Sequence, residues 1–225
     1  MTKTAQWQEQ GVIVLQGVFP KSVLTRLRGS AEACFAAIED GRAPSLAAVH
    51  KFSPFSYSAL LPALLEFGVS REDLLAPVRA AGLDDLTCNV DQAWVRKRYA
   101  SVNAPRLYHP NSWHQDGGLG AVFGPESESV IPLAPMTTCW IPLQDCCGDC
   151  PGLEFVRHRL DRLIHFSQLN DLSLRQRFAR EQFWAPSLEL GDGLLFLAGS
   201  LHRTYVQPEM WRDRLSVEYR FFEKR

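Results

Sequence analysis

The chain of 225 residues carries almost no net charge: 24 lysines and arginines against 25 aspartates and glutamates leave −1 at neutral pH. Nucleic acid and anionic membranes attract a concentrated basic field, so neither is indicated as a partner. The basic runs are brief, "RKR" at 96–98 and "EKR" at 223–225. Long apolar runs are missing too. No stretch approaches the roughly 20 apolar residues that span a bilayer. The apolar run near the start, Val12 to Leu15, is too short for a secretory core. Six cysteines without an export signal suggest free thiols in a reducing compartment, so the expected location is the cytoplasm. Repeats, low-complexity tracts and Ser/Gly-rich linkers are absent, and nothing implies a protein partner. A single domain of this length buries roughly 70% of its unfolded surface and needs no disulfide or metal to fold.

What is present changes character along the chain. "GVIVLQGVF" reads as a short strand. Val23, Leu24, Leu27, Ala31, Cys34, Phe35 and Ile38 recur at three- and four-residue steps, an amphipathic helix ending near Gly41. Two more helical pieces are expected, over Tyr57–Phe67 and Ser70–Ala81. The second opens on Ser70 and Asp73 at capping-box spacing, with Pro77 placed to shorten or kink it. From Leu86 onward, "TCNVDQAWVRKRY", "MTTCWIPL", "GLEFV", "GLLFLAG" and "RLSVEYRFF" are strand-like runs between Pro, Gly, Asn and Asp, with one helical interlude over Leu169–Glu181. In the last run Leu215, Val217, Tyr219 and Phe221 take one face and Arg214, Ser216, Glu218 and Arg220 the other. The expectation is one α+β domain over 1–225. Residues 1–85 form a mainly helical support and 86–225 a β core closed as a sandwich or barrel.

Chemistry concentrates in "NSWHQDGGLG". Residues i and i+2 on an extended edge point the same way, so His114 and Asp116 can both reach one ion while Gln115 faces away. Two histidines and one carboxylate on one octahedral face leave three positions for substrate and dioxygen at iron(II). Among the six histidines, His202 is the candidate third ligand, following the turn and buried strand of "GDGLLFLAGSL". Twelve residues later Arg214 opens the alternating strand, with Ser216 on its face, and an arginine there can fork onto a carboxylate.

In "WHQDGG", "GDGLLFLAGSLHRT" and "RLSVEYRFF" the chain resembles the phytanoyl-CoA dioxygenase-like iron(II)/2-oxoglutarate oxygenases, whose pattern is His-x-Asp, a long gap, His, then Arg. "QGVIVLQGVFPKSVLTRLR" is similar to that family's strand–helix start, and "TTCWIPLQDC" with "PGLEFVRHRL" to its central strand pair. The resemblance implies a double-stranded β-helix (jelly-roll, cupin-like) core with helices along one side. Iron(II), 2-oxoglutarate and O2 would be the cofactors, and a C–H bond of a small-molecule substrate would be oxidised, most simply hydroxylated, with release of succinate and CO2. His114, Asp116 and His202 would hold the metal. Arg214 and Ser216 would bind 2-oxoglutarate, joined by Gln92 or Arg96 from a pocket-lining strand. In related halogenases the carboxylate of this motif is replaced by Gly or Ala. The chain departs from the family at Val156-Arg157-His158-Arg159, where Pro-Gly-Ser-His is usual.

Other readings attach to the same residues. A cupin-like hydrolase or isomerase would use the metal as a Lewis acid, and a non-catalytic β-helix protein would keep the pocket alone. Gln92, Arg96 and Arg98 could form a solvated strand face. His109 and Asn111 read as loop residues, and Trp113 as packing. "CCGDC" offers Cys146, Cys147 and Cys150 but lacks the second pair that a zinc site requires. Arg157, His158 and Arg159 form a charged turn or a basic rim. Gly117-Gly118 would let the backbone turn sharply after the ligand.

Overall fold

The computed structural model describes residues 3–40, 49–53, 56–59, 70–82, 87–88, 93–103, 113–118, 133 and 136–222. Two antiparallel sheets make up the β core. The larger has eight strands and runs, in order, β1 (Val12–Leu15), β9 (Gly193–Leu197), β6 (Met136–Pro142), β11 (Arg214–Phe222), β5 (Trp94–Arg98), β3 (Ser56–Ala59) and β2 (Val49–Ser53), with β4 (Thr87–Cys88) pairing β11 off this path. The smaller is β10 (His202–Tyr205), β7 (Gly152–Val156) and β8 (Phe183–Trp184). Neighbouring strands in space are mostly distant in sequence, as in a jelly-roll, a double-stranded β-helix.

The period-2 patterns explain the layers. Cys139 and Ile141 of β6, Val95 of β5, and Leu215, Val217, Tyr219 and Phe221 of β11 pack outward. Against them lie α2 (Lys21–Glu39), through Leu24, Leu27, Ala31, Cys34 and Phe35, and α3 (Arg71–Ala80), through Leu74 and Val78. Each fully buried Leu, Val or Phe contributes about 1.5–3 kcal/mol, so this helix–sheet core is the larger stabilising layer. The buried Tyr219 hydroxyl donates to the Leu74 carbonyl at 2.7 Å, joining helix to sheet. On the other face Val12, Trp140, Leu194 and Phe196 of the large sheet meet Leu153 and Phe155 of the small one. The space between the sheets is where the site lies.

Several elements differ from expectation. Tyr57 lies on β3 rather than a helix, and residues 60–69 fall outside the described residues. In α3 the Ser70–Asp73 capping box forms in both directions and the helix continues past Pro77 to Ala80. The interlude shortens to α4 (Asp171–Arg177), with 3-10 turns on either side, because Phe178 leaves helical geometry. The first helix, α1 (Lys3–Gln10), was not anticipated. Nor were β2 and β3, which extend the large sheet from the mainly helical segment. Before β9 the turn forms as read: Gly191 takes φ +108, and Asp192 accepts from the Gly17 and Glu189 amides at 2.8 and 3.0 Å. Among the described residues no helix is long and apolar enough to cross a membrane.

Candidate metal centre and co-substrate pocket

His114 and His202 meet as an antiparallel bridge. The His114 amide donates to the His202 carbonyl at 3.0 Å and the His202 amide returns a bond at 3.1 Å. The chain then tightens into a 3-10 turn over Asp116–Gly118, held by Gly117 N–H to the Ala198 carbonyl at 2.8 Å. Gln115 points away from the bridge, as its parity requires. Its amide donates to the Arg162 and Gly199 carbonyls and its oxygen accepts from the Ile164 amide. Three contacts from one buried side chain pin the ligand-bearing loop to the protein.

The backbone does turn at the double glycine, in the 3-10 turn over Asp116–Gly118. Neither Gly117 nor Gly118 has a positive φ. A Cβ on Gly117 would lie 3.0 Å from the Ala198 Cβ, the Ala198 carbonyl oxygen and a Leu133 methyl, whereas Gly118 meets only Leu163, at 3.4 Å. Close approach to Ala198, not a left-handed turn, selects glycine at 117. Gly117→Ala should therefore destabilise the protein by about 1–3 kcal/mol through overpacking, while Gly118→Ala should be nearly neutral. Thermal unfolding of both variants checks the difference.

The three side chains converge. The His114 and His202 Nε2 atoms lie 3.9 and 3.7 Å from Asp116 Oδ1. One ligand atom from each residue lies within 4.8 Å of the others, a set that among the described residues is the single group of this kind. The His202 Nδ1–H donates to the Ser200 carbonyl at 3.0 Å, which fixes the tautomer and leaves Nε2 facing the triad. Phe155 stacks on the His202 ring at 5.5 Å and Phe196 flanks it at 4.7 Å. Asp116 Oδ2 accepts the Thr138 hydroxyl at 2.7 Å, leaving Oδ1 for an ion. Burial pushes the Asp116 carboxyl up, but His202, His114, Arg220 and the Thr138 bond together outweigh it and hold it below the usual carboxylate range. Asp116 and His202 are 5% exposed, whereas the His114 side chain is 43% exposed, so one side of the triad is open.

That open side belongs to a cavity of ≈ 260 Å³ whose wall includes the triad, Arg214 and Arg96. Arg214 is buried at the start of β11, its guanidinium 5.0 Å from the centre of the Trp140 ring. Ser216 is on the same strand face and fully buried, its hydroxyl without a hydrogen-bond partner among the described residues, but it does not line the cavity. Glu218, the strand-face neighbour open to Arg214, is engaged by Arg96 and Arg220. Gln92, His109 and Asn111 lie outside the described residues.

Thr138 and Glu218 join the site without having been singled out in the sequence, and Arg98 lines the cavity beside Arg96 rather than forming a solvated face. For Glu218 the alternation of β11 was the available signal, because its polar face turns out to be buried. Behind the histidine bridge, Trp113 is a packing residue: Nε1 donates to Asp171 at 2.9 Å and the ring lies 4.5 Å from the Arg203 guanidinium. Arg203 in turn reaches Glu154 at 2.7 Å and Asp171 at 2.9 Å. Cys146, Cys147 and Cys150 are free thiols and join no ligand cluster among the described residues. Arg157 donates to the Glu181 carbonyl, while His158 and Arg159 line a separate surface pocket, so the turn is not the rim of the metal cavity.

The match of the family described as phytanoyl-CoA dioxygenase (PhyH) spans residues 7–159, more than half of the chain. The protein belongs to the PhyH family. A sequence search of curated proteins found no match. Solved structures with the same fold include SnoK, a non-heme alpha-ketoglutarate-dependent carbocyclase from nogalamycin biosynthesis (TM-score 0.64, 17% identity, 99% of this chain and 84% of that one). EctD from S. alaskensis, solved with iron, aligns with a TM-score of 0.65 at 14% identity, over 99% of this chain and 76% of that one. HygX from Streptomyces hygroscopicus, solved with nickel and 2-oxoglutarate, aligns with a TM-score of 0.55 at 15% identity, over 100% and 88%. At these identities the likeness to the solved structures establishes the jelly-roll fold.

Proposed function

We propose that this PhyH-family protein is a single-domain iron(II)- and 2-oxoglutarate-dependent dioxygenase that hydroxylates a C–H bond of a small molecule, releasing succinate and CO2. The observation that carries the reading is the opening of His114, Asp116 and His202 into the same cavity as a buried Arg214. The donor set fits iron(II), with two imidazoles and a carboxylate on one side and open space on the other. When bound, the iron supplies the dioxygen chemistry, and the protein supplies orientation and exclusion of side reactions. His202 is held in one tautomer by Ser200, Asp116 is oriented by Thr138, and Arg214 grips the far carboxylate of 2-oxoglutarate with Ser216 beneath it. Arg96, tied to Glu218, serves the substrate side rather than the co-substrate. The free thiols suit a reducing compartment, and we assign the protein to the cytoplasm.

Arg214 favours this reading over a Lewis-acid hydrolase, because activating water requires no clamp for a second carboxylate. Hydroxylation is supported by EctD, a similar structure solved with 2-oxoglutarate and 5-hydroxyectoine. Incubating the protein with iron(II), 2-oxoglutarate and O2 should yield succinate and CO2 in equal amounts even without prime substrate, at a low uncoupled rate. No succinate above a metal-free control would contradict the reading. A further expectation follows from Asp116, which fills the third protein ligand position and leaves a halide none. Mass spectrometry of product formed with excess chloride should show added oxygen and no chlorine. A chlorinated product would overturn the assignment of Asp116.

A further inference from the structure

His114 and His202 meet through an isolated bridge, a single residue pair rather than a ladder. How the two imidazoles approach Asp116 therefore depends on what holds that pair. On the cavity side His202 is fixed by Phe155, Phe196 and the Ser200 carbonyl, and Asp116 by Thr138. Trp113 and Arg203, one position from each histidine, alternate to the opposite side and do not line the metal cavity. There they meet. The Arg203 guanidinium lies 4.5 Å from the centre of the buried Trp113 ring, and Phe183 stands edge-on to that ring at 5.7 Å.

Asp171, the first residue of α4, closes the arrangement. Its Oδ1 accepts from Trp113 Nε1 at 2.9 Å, and Arg203 Nη1 lies 2.9 and 3.0 Å from its two oxygens. Arg203 Nε donates to Glu154 at 2.7 Å, and Glu154 is its register partner on β7. One guanidinium thus ties together the segment of His114, the strand of His202, β7 and α4. The Arg203 and Glu154 side chains are largely buried, so salt screens their pair little. Lysine has no planar fork with which to stack on the ring and reach two carboxylates at once. We propose that Arg203 is a positioning residue for the metal centre. Stacked on Trp113 and forked between Glu154 and Asp171, it locks the histidine bridge from behind and sets the approach of both imidazoles to Asp116. It acts through the backbone and touches neither the ligand atoms nor the cavity. The proposal rests on the metal reading for the role of the two histidines.

The test has a metal-free arm and a metal arm. Amide hydrogen exchange compares the histidine bridge with a second isolated bridge, Cys146 to Leu188, whose amides donate at 2.9 and 3.2 Å. Global unfolding exposes all four amides alike, whereas release of the clamp opens one bridge. In Arg203→Gln the His114 and His202 amides should lose protection at least about tenfold more than the Cys146 and Leu188 amides, as expected for loss of a charged fork. Nickel(II) affinity, measured by calorimetry, should fall about tenfold, the low end for loss of an outer partner. Arg203→Lys should recover part of both effects. Asp171→Asn, at a half-exposed residue, keeps an acceptor for Trp113 but removes the charge that Arg203 reaches, so it should show the same unequal loss on a smaller scale. Equal loss at both bridges in these variants, or none at the histidine bridge, would overturn the proposal. Unchanged nickel(II) affinity with the histidine bridge opened would overturn it too, by separating the bridge from the ligands. A parent that binds no nickel(II) would remove the metal reading and the ligand role with it, while unequal loss at the two bridges would still show the clamp.

Discussion

Replacing His202 by alanine should lower iron(II) affinity by more than the roughly ten- to hundredfold that loss of an outer hydrogen-bonding partner costs, because a ligand itself is removed. The fold should survive. The main core, between α2, α3 and the large sheet, does not touch the site. Some stability is lost all the same, since the ring packs between Phe155 and Phe196, and a cavity there costs on the order of 1–3 kcal/mol. His114→Ala provides the cleaner comparison. Its side chain is 43% exposed, so the same loss of metal affinity should come with a smaller loss of stability. Equilibrium dialysis with iron(II) under anaerobic conditions, beside thermal unfolding of the metal-free proteins, separates the two effects. Iron bound as tightly by His202→Ala as by the parent would remove His202 from the ligand set.

Arg214→Lys should weaken 2-oxoglutarate binding about ten- to a hundredfold, the equivalent of 1.5–3 kcal/mol for a charged bidentate contact. Lysine keeps the charge but loses the planar fork. Its ammonium would also sit less well than the guanidinium 5.0 Å from the Trp140 ring. Iron affinity measured without 2-oxoglutarate should be nearly unchanged. Arg212 is no substitute anchor, because it forks onto Asp149 at 3.0 and 2.7 Å and does not line the cavity. Unaltered 2-oxoglutarate binding in Arg214→Lys would move the anchor to Arg98 or Arg220.

Both variants concern residues that were legible in the sequence, for identifiable reasons. The opposed directions of His114 and Gln115 survive folding because a bridge to His202 holds His114 extended, and the 3-10 turn that begins at Asp116 still brings its carboxylate to both histidines. The alternation of β11 is equally visible, since both faces are buried but by different partners. Periodicity gives the two faces of a strand, not which of them is wet. Here the polar face of Arg214, Ser216 and Glu218 is interior, a property that only the second sheet confers. β10 as a strand was not legible for the opposite reason. In "HRTY" every residue is polar or amphipathic, so although His202 was read as a ligand, composition marked no strand there and gave no sign that Thr204 shares its cavity-facing side. Thr138 was hidden by distance, 22 residues from the carboxylate it orients. The short strands β2 and β3 lack strong alternation and gain order by pairing with each other and with β5.

The central claim is that one cavity binds iron(II) through His114, Asp116 and His202 together with 2-oxoglutarate through Arg214. Anaerobic titration of the protein with iron(II) and 2-oxoglutarate, followed by optical absorption, tests both halves at once. A weak visible charge-transfer band should grow to saturation in the parent, be absent in His114→Ala and His202→Ala, and require more 2-oxoglutarate in Arg214→Lys. A flat spectrum in the parent, or a band of full strength in the histidine variants, would contradict the account.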